Sequence, residues 1–218
     1  ATFEVYFSHP SNRFSPPPRE GELDNRITKI SYDYVWKDGM RRVDYKTYIA
    51  NRSTNLHGIT TVNRNKEHMS LNLKTPEGKE IFHRLAAKAD VLLEGFRPGV
   101  VHRLGIDYDT IQSLNPKIIY CSISGYWQTG PNKVRAGHDV NFIGYSGVLD
   151  LMGETNMPPS IPGVQIADIA GGGMNAAIGI LLAICARERT GKGQYIDISM
   201  TDGTVGLLSL PLYFLQRT

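Results

Sequence analysis

From Met69 onward, apolar positions recur in short blocks that switch between two periods. Met69 to Leu73 alternates apolar and polar side chains, the period of a short strand. Thr75-Pro76-Glu77-Gly78 then supplies a helix start: Thr as N-cap, Pro at the first position and an acid in the first turn. Ile81, Leu85 and Ala89 continue at helical spacing. Val91-Leu92-Leu93 predicts a short buried strand, and Arg97-Pro98-Gly99 breaks the chain. Val100 to Leu104 predicts a helical turn, Asp109 to Leu114 a short helix, and Ile118 to Ile123 a β-branched strand. After a turn-rich loop from Gly125, a helix is predicted from Asp139 to Leu151 and a Pro-rich loop from Asn156 to Gly163. A long helix is expected to follow Gly173 and run to Arg189, closed by Thr190-Gly191-Lys192-Gly193. Tyr195 to Ile198 reads as a strand, and Thr201 onward as apolar helix. Strands and helices alternating at such short intervals predict βαβ units, a parallel α/β sheet with helices on both faces.

The first 66 residues differ. Ser15 to Glu20 is proline-rich and suits neither helix nor central strand. The division expected is an irregular N-terminal segment, 1–66, and an α/β domain, 67–218. No unbroken apolar run reaches the roughly 20 residues of a bilayer span. The longest, Ala176 to Ala186, has eleven residues and reads as a buried helix. The N-terminus lacks the basic start and apolar stretch of a signal peptide. The expectation is therefore a cytoplasmic protein with no membrane partner.

Charge narrows the choice of ligand. The chain carries 24 Lys and Arg against 21 Asp and Glu, a formal charge of +3. Arg64, Lys66, Lys74, Arg97 and Arg103 fall near turns, where cations and helix starts suit phosphate groups. So small an excess fits a polyphosphate ligand better than a nucleic-acid duplex. Two cysteines, Cys121 and Cys185, cannot form a disulfide scaffold; each lies in an apolar run, as reduced core thiols do. No zinc-type spacing of Cys and His occurs.

Two stretches carry candidate chemistry. In Gly163 to Ala177, Asp168 stands in an apolar setting just before three glycines and an expected helix. Burial raises such a carboxyl's pKa and a helix N-terminus lowers it. Helix capping is the plain reading, but three glycines suit close approach of a ligand to backbone. Gly171 to Ala176 also matches a dinucleotide fingerprint, with Asp197 on the following strand, although an acid just before the glycines fits that motif badly. The second stretch, Ala136-Gly137-His138-Asp139, opens an amphipathic helix with a side chain suited to proton transfer near neutrality.

Six collinear segments together resemble the family III CoA-transferases, which include the α-methylacyl-CoA racemases. They are VNRNKEHMSLNLKTPEGKEIF, KADVLLEGFRPGVVHRLGIDYD, LNPKIIYCSISGY, QTGPNKVRAGHDVNFIGYSGVL, ADIAGGGM and RTGKGQYIDISMTDG. The resemblance implies a Rossmann-like domain that binds coenzyme A esters, and interlocked dimers. It implies that Asp168 is the catalytic aspartate and His138 the second base of a racemase. Leu71, Lys74, Gly95, Phe96, Arg103 and Leu104 fall on positions holding the nucleotide end of CoA, with Arg64, Lys66 and Arg97 as phosphate neighbours. Four departures from the family pattern are expected: the opening strand and helix are not recognisable in the first 27 residues, Trp127 replaces a usual glycine, the small C-terminal domain is expected to be missing, and with it the acid that supports the His in the racemases.

The expectation is a racemase or epimerase of 2-methylacyl-CoA thioesters, working by α-proton transfer through an enolate. Amides at the start of the His138 helix, that of Asp139 included, would stabilise the enolate. The alternatives are a CoA-transferase working through an aspartyl mixed anhydride, and a non-catalytic CoA-binding subunit. No prosthetic group is expected, since the coenzyme A thioester is the substrate. The partner expected is a second copy or a complementary chain. Trp127, Met152 and Met157 are candidate lining for an acyl pocket.

Overall fold

A computed structural model describes residues 3–7, 66–154 and 156–215. They fall into two compact units, 1–82 and 83–218. Most of the segment expected to be irregular, Arg64 included, lies outside the described residues.

In the first unit, β1 (Phe3–Phe7) pairs antiparallel with β2 (Glu67–Leu71), Phe3 opposite Leu71 and Phe7 opposite Glu67. The second strand ends at Leu71 because Asn72 turns the chain. Its carbonyl accepts from Thr75 N–H at 3.2 Å, and its Oδ1 accepts from Lys74 N–H at 3.1 Å. Thr75 Oγ1 then accepts from Gly78 N–H at 3.1 Å, the N-cap read from the sequence, and opens α1 (Pro76–Ala86).

The second unit is built on a three-stranded parallel sheet in the order β3 (Val91–Glu94), β4 (Ile119–Ser124), β5 (Gln194–Ser199). α2 (Val100–Leu104) and α3 (Tyr108–Leu114) cross between β3 and β4. Asp107 caps α3, its Oδ1 accepting from Thr110 N–H at 3.2 Å. The N-terminal ends of the strands are tied from a distance. Arg187 donates to the carbonyls of Asp90 and Lys117 at 3.2 and 3.1 Å and pairs with the Asp90 carboxylate at 2.9 Å.

Register gives the sheet two unlike faces. Val91, Leu93, Ile119, Cys121, Ile123, Ile196 and Ile198 alternate onto one face, which is apolar but for Gln194 at the start of β5. Leu92, Glu94, Tyr120, Ser122, Ser124, Tyr195, Asp197 and Ser199 make up the other. There Tyr120 donates its hydroxyl to the Ile106 carbonyl at 2.8 Å, and its ring meets those of Tyr108 and Tyr195 at centroid distances of 5.9 Å each.

Beyond β4, three expectations change. The helix expected to reach Leu151 is α4 (Asp139–Ser146) followed by a 3-10 turn, Val148–Leu151. Gly147, at φ 85°, ends α4 in a left-handed cap that a side chain would resist. The helix expected to follow Gly173 begins instead at Ile166. A π-helical segment, Ile166–Met174, leads straight into α5 (Asn175–Thr190). Asp168 therefore lies in the first turn of a wide helix rather than capping one. The three glycines lie inside that helix, which removes the dinucleotide reading.

The reason for the glycines is a close crossing with α6 (Met200–Val205). A Cβ on Gly171 would stand 2.4 Å from the Met200 carbonyl oxygen, and one on Gly203 2.1 Å from that of Gly171. A 3-10 turn (Gly206–Leu208) and α7 (Ser209–Leu215) follow. Tyr126, Phe142, Ile143, Val148, Ala167 and Leu208 bury one another beside the crossing.

The third change concerns α5. Gly179 lets it approach the apolar sheet face, where a Cβ would stand 3.3 Å from the Ile196 side chain. Ile178, Leu181, Leu182 and Cys185 are exposed, so the helix is not buried all round and Cys185 is not a core thiol. Counted through Asp168 and the glycines, Ile166–Thr190 is long and apolar enough by length and composition to cross a membrane, which the count of unbroken apolar runs missed.

The crossing gives a stability prediction. Gly203→Ala should cost about 1–3 kcal/mol or more, the scale of overpacking a closed contact. Gly206→Ala, with open space around its Cβ position, should be neutral or stabilising by about 0.4–1 kcal/mol. Urea denaturation of both variants measures the contrast.

Candidate functional site

The loop after β4 delivers His138 to the start of α4. Gly137 leaves no room for a side chain, because a Cβ there would stand 2.6 Å from the Phe142 ring. His138 is the extended N-cap, and its backbone N–H donates to Asn141 Oδ1 at 3.0 Å. The next residue, Asp139, reaches the π-helical segment: its Oδ1 accepts from the Asp168 N–H at 2.8 Å. The structure thus brings His138, Asp139 and Asp168 together. Loss of solvent and the neighbouring Asp139 charge push the Asp168 carboxyl above its ordinary range, and His138 opposes the shift. Its carboxylate remains open to solvent, as does the His138 side chain.

Five other residues singled out from the sequence follow β3 in the same unit. Gly95 and Arg97 are exposed, Phe96 is half-buried and Leu104 is buried. The turn is held by Glu94, whose Oε2 accepts from the Phe96 N–H at 2.7 Å. Gly99, at φ 83°, begins α2, and the Arg103 guanidinium lies 3.5 Å from its Cβ position. Two cations thus flank a glycine turn at the carboxyl end of a parallel strand, the usual place for ligands in open α/β sheets. Lys66, Leu71 and Lys74 belong to the first unit: Lys66 directly precedes β2, Leu71 is buried at its end, and Lys74 is exposed.

Trp127 takes a left-handed backbone, φ 72°, which accounts for the glycine usual at that position. Its indole N–H donates to Asp202 Oδ2. Trp127, Tyr126, Tyr145, Thr129, Pro131 and Asp202 are among the walls of an open cleft of about 320 Å³. Neither Met152 nor Met157 lines it. Met152 packs against the core cluster and Met157 is exposed.

One group of residues forms no motif along the sequence, although Asp197 alone drew attention there. Glu94, Ser122 and Asp197 are register partners across the three strands. Glu94 is only 7% exposed, and burial raises its pKa despite hydrogen bonding to Ser122 and Phe96; burial raises that of Asp197 as well. Asp197 Oδ2 accepts from the Gln128 N–H at 3.1 Å and so fastens the loop to the sheet. The signal was available in the alternation of polar residues along β4 and β5.

The CoA-transferase family III model matches residues 26–214, and the chain belongs to that family. The chain is 41% identical over 162 residues to human α-methylacyl-CoA racemase, covering 74% of this chain and 41% of that protein. It is 42% identical over 165 residues to acetyl-CoA:oxalate CoA-transferase of Acetobacter aceti, covering 75% of this chain and 41% of that enzyme. A crystal structure of a CaiB/BaiF family protein from Brucella suis superposes with a TM-score of 0.64 at 41% identity, covering 67% of this chain and 39% of that one. The chain thus spans about two fifths of the curated relatives it matches. Family matching reaches upstream to residue 26, beyond the motifs that begin at Val62.

The buried acids predict a pH dependence. With raised folded pKa values, Glu94 and Asp197 keep protons that the unfolded chain has already released. Their contribution therefore weakens stability as pH rises from the unfolded carboxyl range, about 4, through the higher folded values. Glu94→Gln removes one of these carboxyls while its amide oxygen still accepts from Phe96. Thermal melts from pH 4 to 8 should show a flatter decline for this variant than for wild type; an equal decline would contradict the assignment.

Proposed function

We propose that the chain supplies the acid–base centre of an enzyme that racemises 2-methylacyl-CoA thioesters. The observation that carries this reading is the meeting of His138, Asp139 and Asp168 with the Asp168 carboxyl raised. A racemase needs one base on each face of the α-carbon. One base takes the α-proton, the C–H electron pair moves into the thioester as an enolate, and the other base returns a proton to the opposite face. An ordinary carboxyl and imidazole differ by about two pKa units. Raising Asp168 narrows that gap and brings the two directions toward similar rates. Amides at the start of α4 are the candidate donors to the enolate oxygen. No prosthetic group enters this chemistry.

The nucleotide end of coenzyme A is assigned to Gly95–Leu104, with Arg97 and Arg103 on its phosphates. The exposed apolar residues of α5, and separately the exposed Leu210, Leu212 and Phe214 of α7, suit a second copy or a complementary chain. A reducing compartment, the cytoplasm, suits the free thiols.

Deuterium exchange at the α-carbon tests the mechanism. Asp168→Asn and His138→Ala should each abolish racemisation, a loss of about 100-fold or more. Each should still exchange the enantiomer that faces its surviving base. If His138→Ala racemises normally while Asp168→Asn loses acyl-CoA transfer to a free carboxylic acid, the chain is a transferase working through an aspartyl anhydride. Binding is tested separately: Arg103→Ala should weaken coenzyme A affinity by about 1.5–3 kcal/mol, the scale of a hydrogen bond to a charged group. Unchanged calorimetric affinity would remove Arg103 from the site.

A further inference from the structure

We infer that Trp127 is a positioning residue that sets His138 against Asp168 through Asp202, an inference that rests on the reading of the site just given. A left-handed backbone strains a bulky residue, and it persists only where surrounding contacts hold it. Those contacts are present on both sides of Trp127. The Gly125 carbonyl accepts from Thr201 N–H at 3.1 Å and from Thr201 Oγ1 at 2.7 Å. Gln128 N–H donates to Asp197 Oδ2 at 3.1 Å. Between them, the indole N–H donates to Asp202 Oδ2. Asp202 is itself fixed, since its Oδ1 accepts from Ser199 Oγ at 3.1 Å and its N–H donates to that oxygen at 3.2 Å. Each oxygen of the carboxylate has its own donor, so the group cannot turn away from the indole without losing a bond.

Asp202 lies on α6, and α6 is the helix that crosses the Asp168 segment at Gly171 and Gly203. The loop gripped at Trp127 ends at His138. One short helix therefore holds the carrier of each base, and the Asp139–Asp168 hydrogen bond closes the circuit on the far side. A glycine at 127 would remove the backbone strain and the indole anchor together. Tryptophan retains the strained turn and adds a side-chain tie to the same helix.

The test separates positioning from bulk stability in the full-length protein. Trp127→Phe keeps the ring and loses the N–H. Trp127→Gly relieves the strain and loses the anchor. Both should lower kcat for α-proton exchange about tenfold, the scale of a small misplacement of reacting groups, with KM little changed. Trp127→Gly should do so without a matching fall in melting temperature. Asp202→Ala should behave like Trp127→Phe, whereas Asp202→Asn, whose amide oxygen still accepts the N–H, should retain most of the activity. Independently of activity, the Trp127 indole proton should be slow to exchange with solvent in wild type and fast in Asp202→Ala. Wild-type kcat in Trp127→Phe, or an indole proton unprotected in wild type, would overturn the inference alone. A wild-type protein inactive in both exchange and acyl transfer would overturn the reading of the site and this inference with it.

Discussion

At the crossing of α6 and the π-helical segment, two glycines let main chain touch main chain, with no side chain between them. Contacts of this kind have little room to adjust, because a displaced backbone carries its whole helix with it. Here that rigidity matters in both directions. On one side the crossing orients the segment bearing Asp168. On the other, the same helix anchors the loop bearing His138 through Gly125 and Trp127. The two candidate bases approach one another because both are referred to a common, closely packed support. Such pre-ordering spares a reaction the entropy of assembling its groups.

The sheet shows the opposite strategy. Its apolar face follows the ordinary economy of burial, with β-branched side chains against α5. Its other face carries carboxyls, hydroxyls and phenols in register, which forces hydrogen bonding to offset lost hydration. Ser122 serves two neighbours, Glu94 and Tyr195, from the central strand. A row of this kind weakens the fold slightly at neutral pH and specifies the alignment of three strands, since a slip by one residue would exchange the faces.

Much of this was legible from residue order alone. The β-branched blocks at Ile118–Ile123 and Tyr195–Ile198 marked real parallel strands, and Asp139 marked a real helix start. The stretches around His138 and Asp168 stood out for their chemistry before anything placed them together. What escaped was of a different kind. A π-helix leaves no periodic signature that separates it from a loop feeding an α-helix, so the turn that carries Asp168 read as lying before the helix rather than within it. Glycines reveal that space is short but not what fills it, hence the mistaken start at Gly173. The apolar residues of α5 could not announce that only one face meets the sheet. The row of Glu94, Ser122 and Asp197 exists only once strand register is known, and the left-handed turn at Trp127 contradicts the preference of its own side chain.

The two thiols end up in opposite circumstances, and that has a practical use. Cys121 sits on the central strand with no solvent access, and burial pushes its thiol up to about 12. Cys185 lies open on the outer face of α5. A maleimide-linked dye or spin label will therefore attach to Cys185 and leave Cys121 untouched, without any engineered cysteine. The reporter lands on the outward apolar strip of the helix that follows the Asp168 segment. Its signal then reads directly whether that strip is wet or covered, under whatever conditions the protein is active.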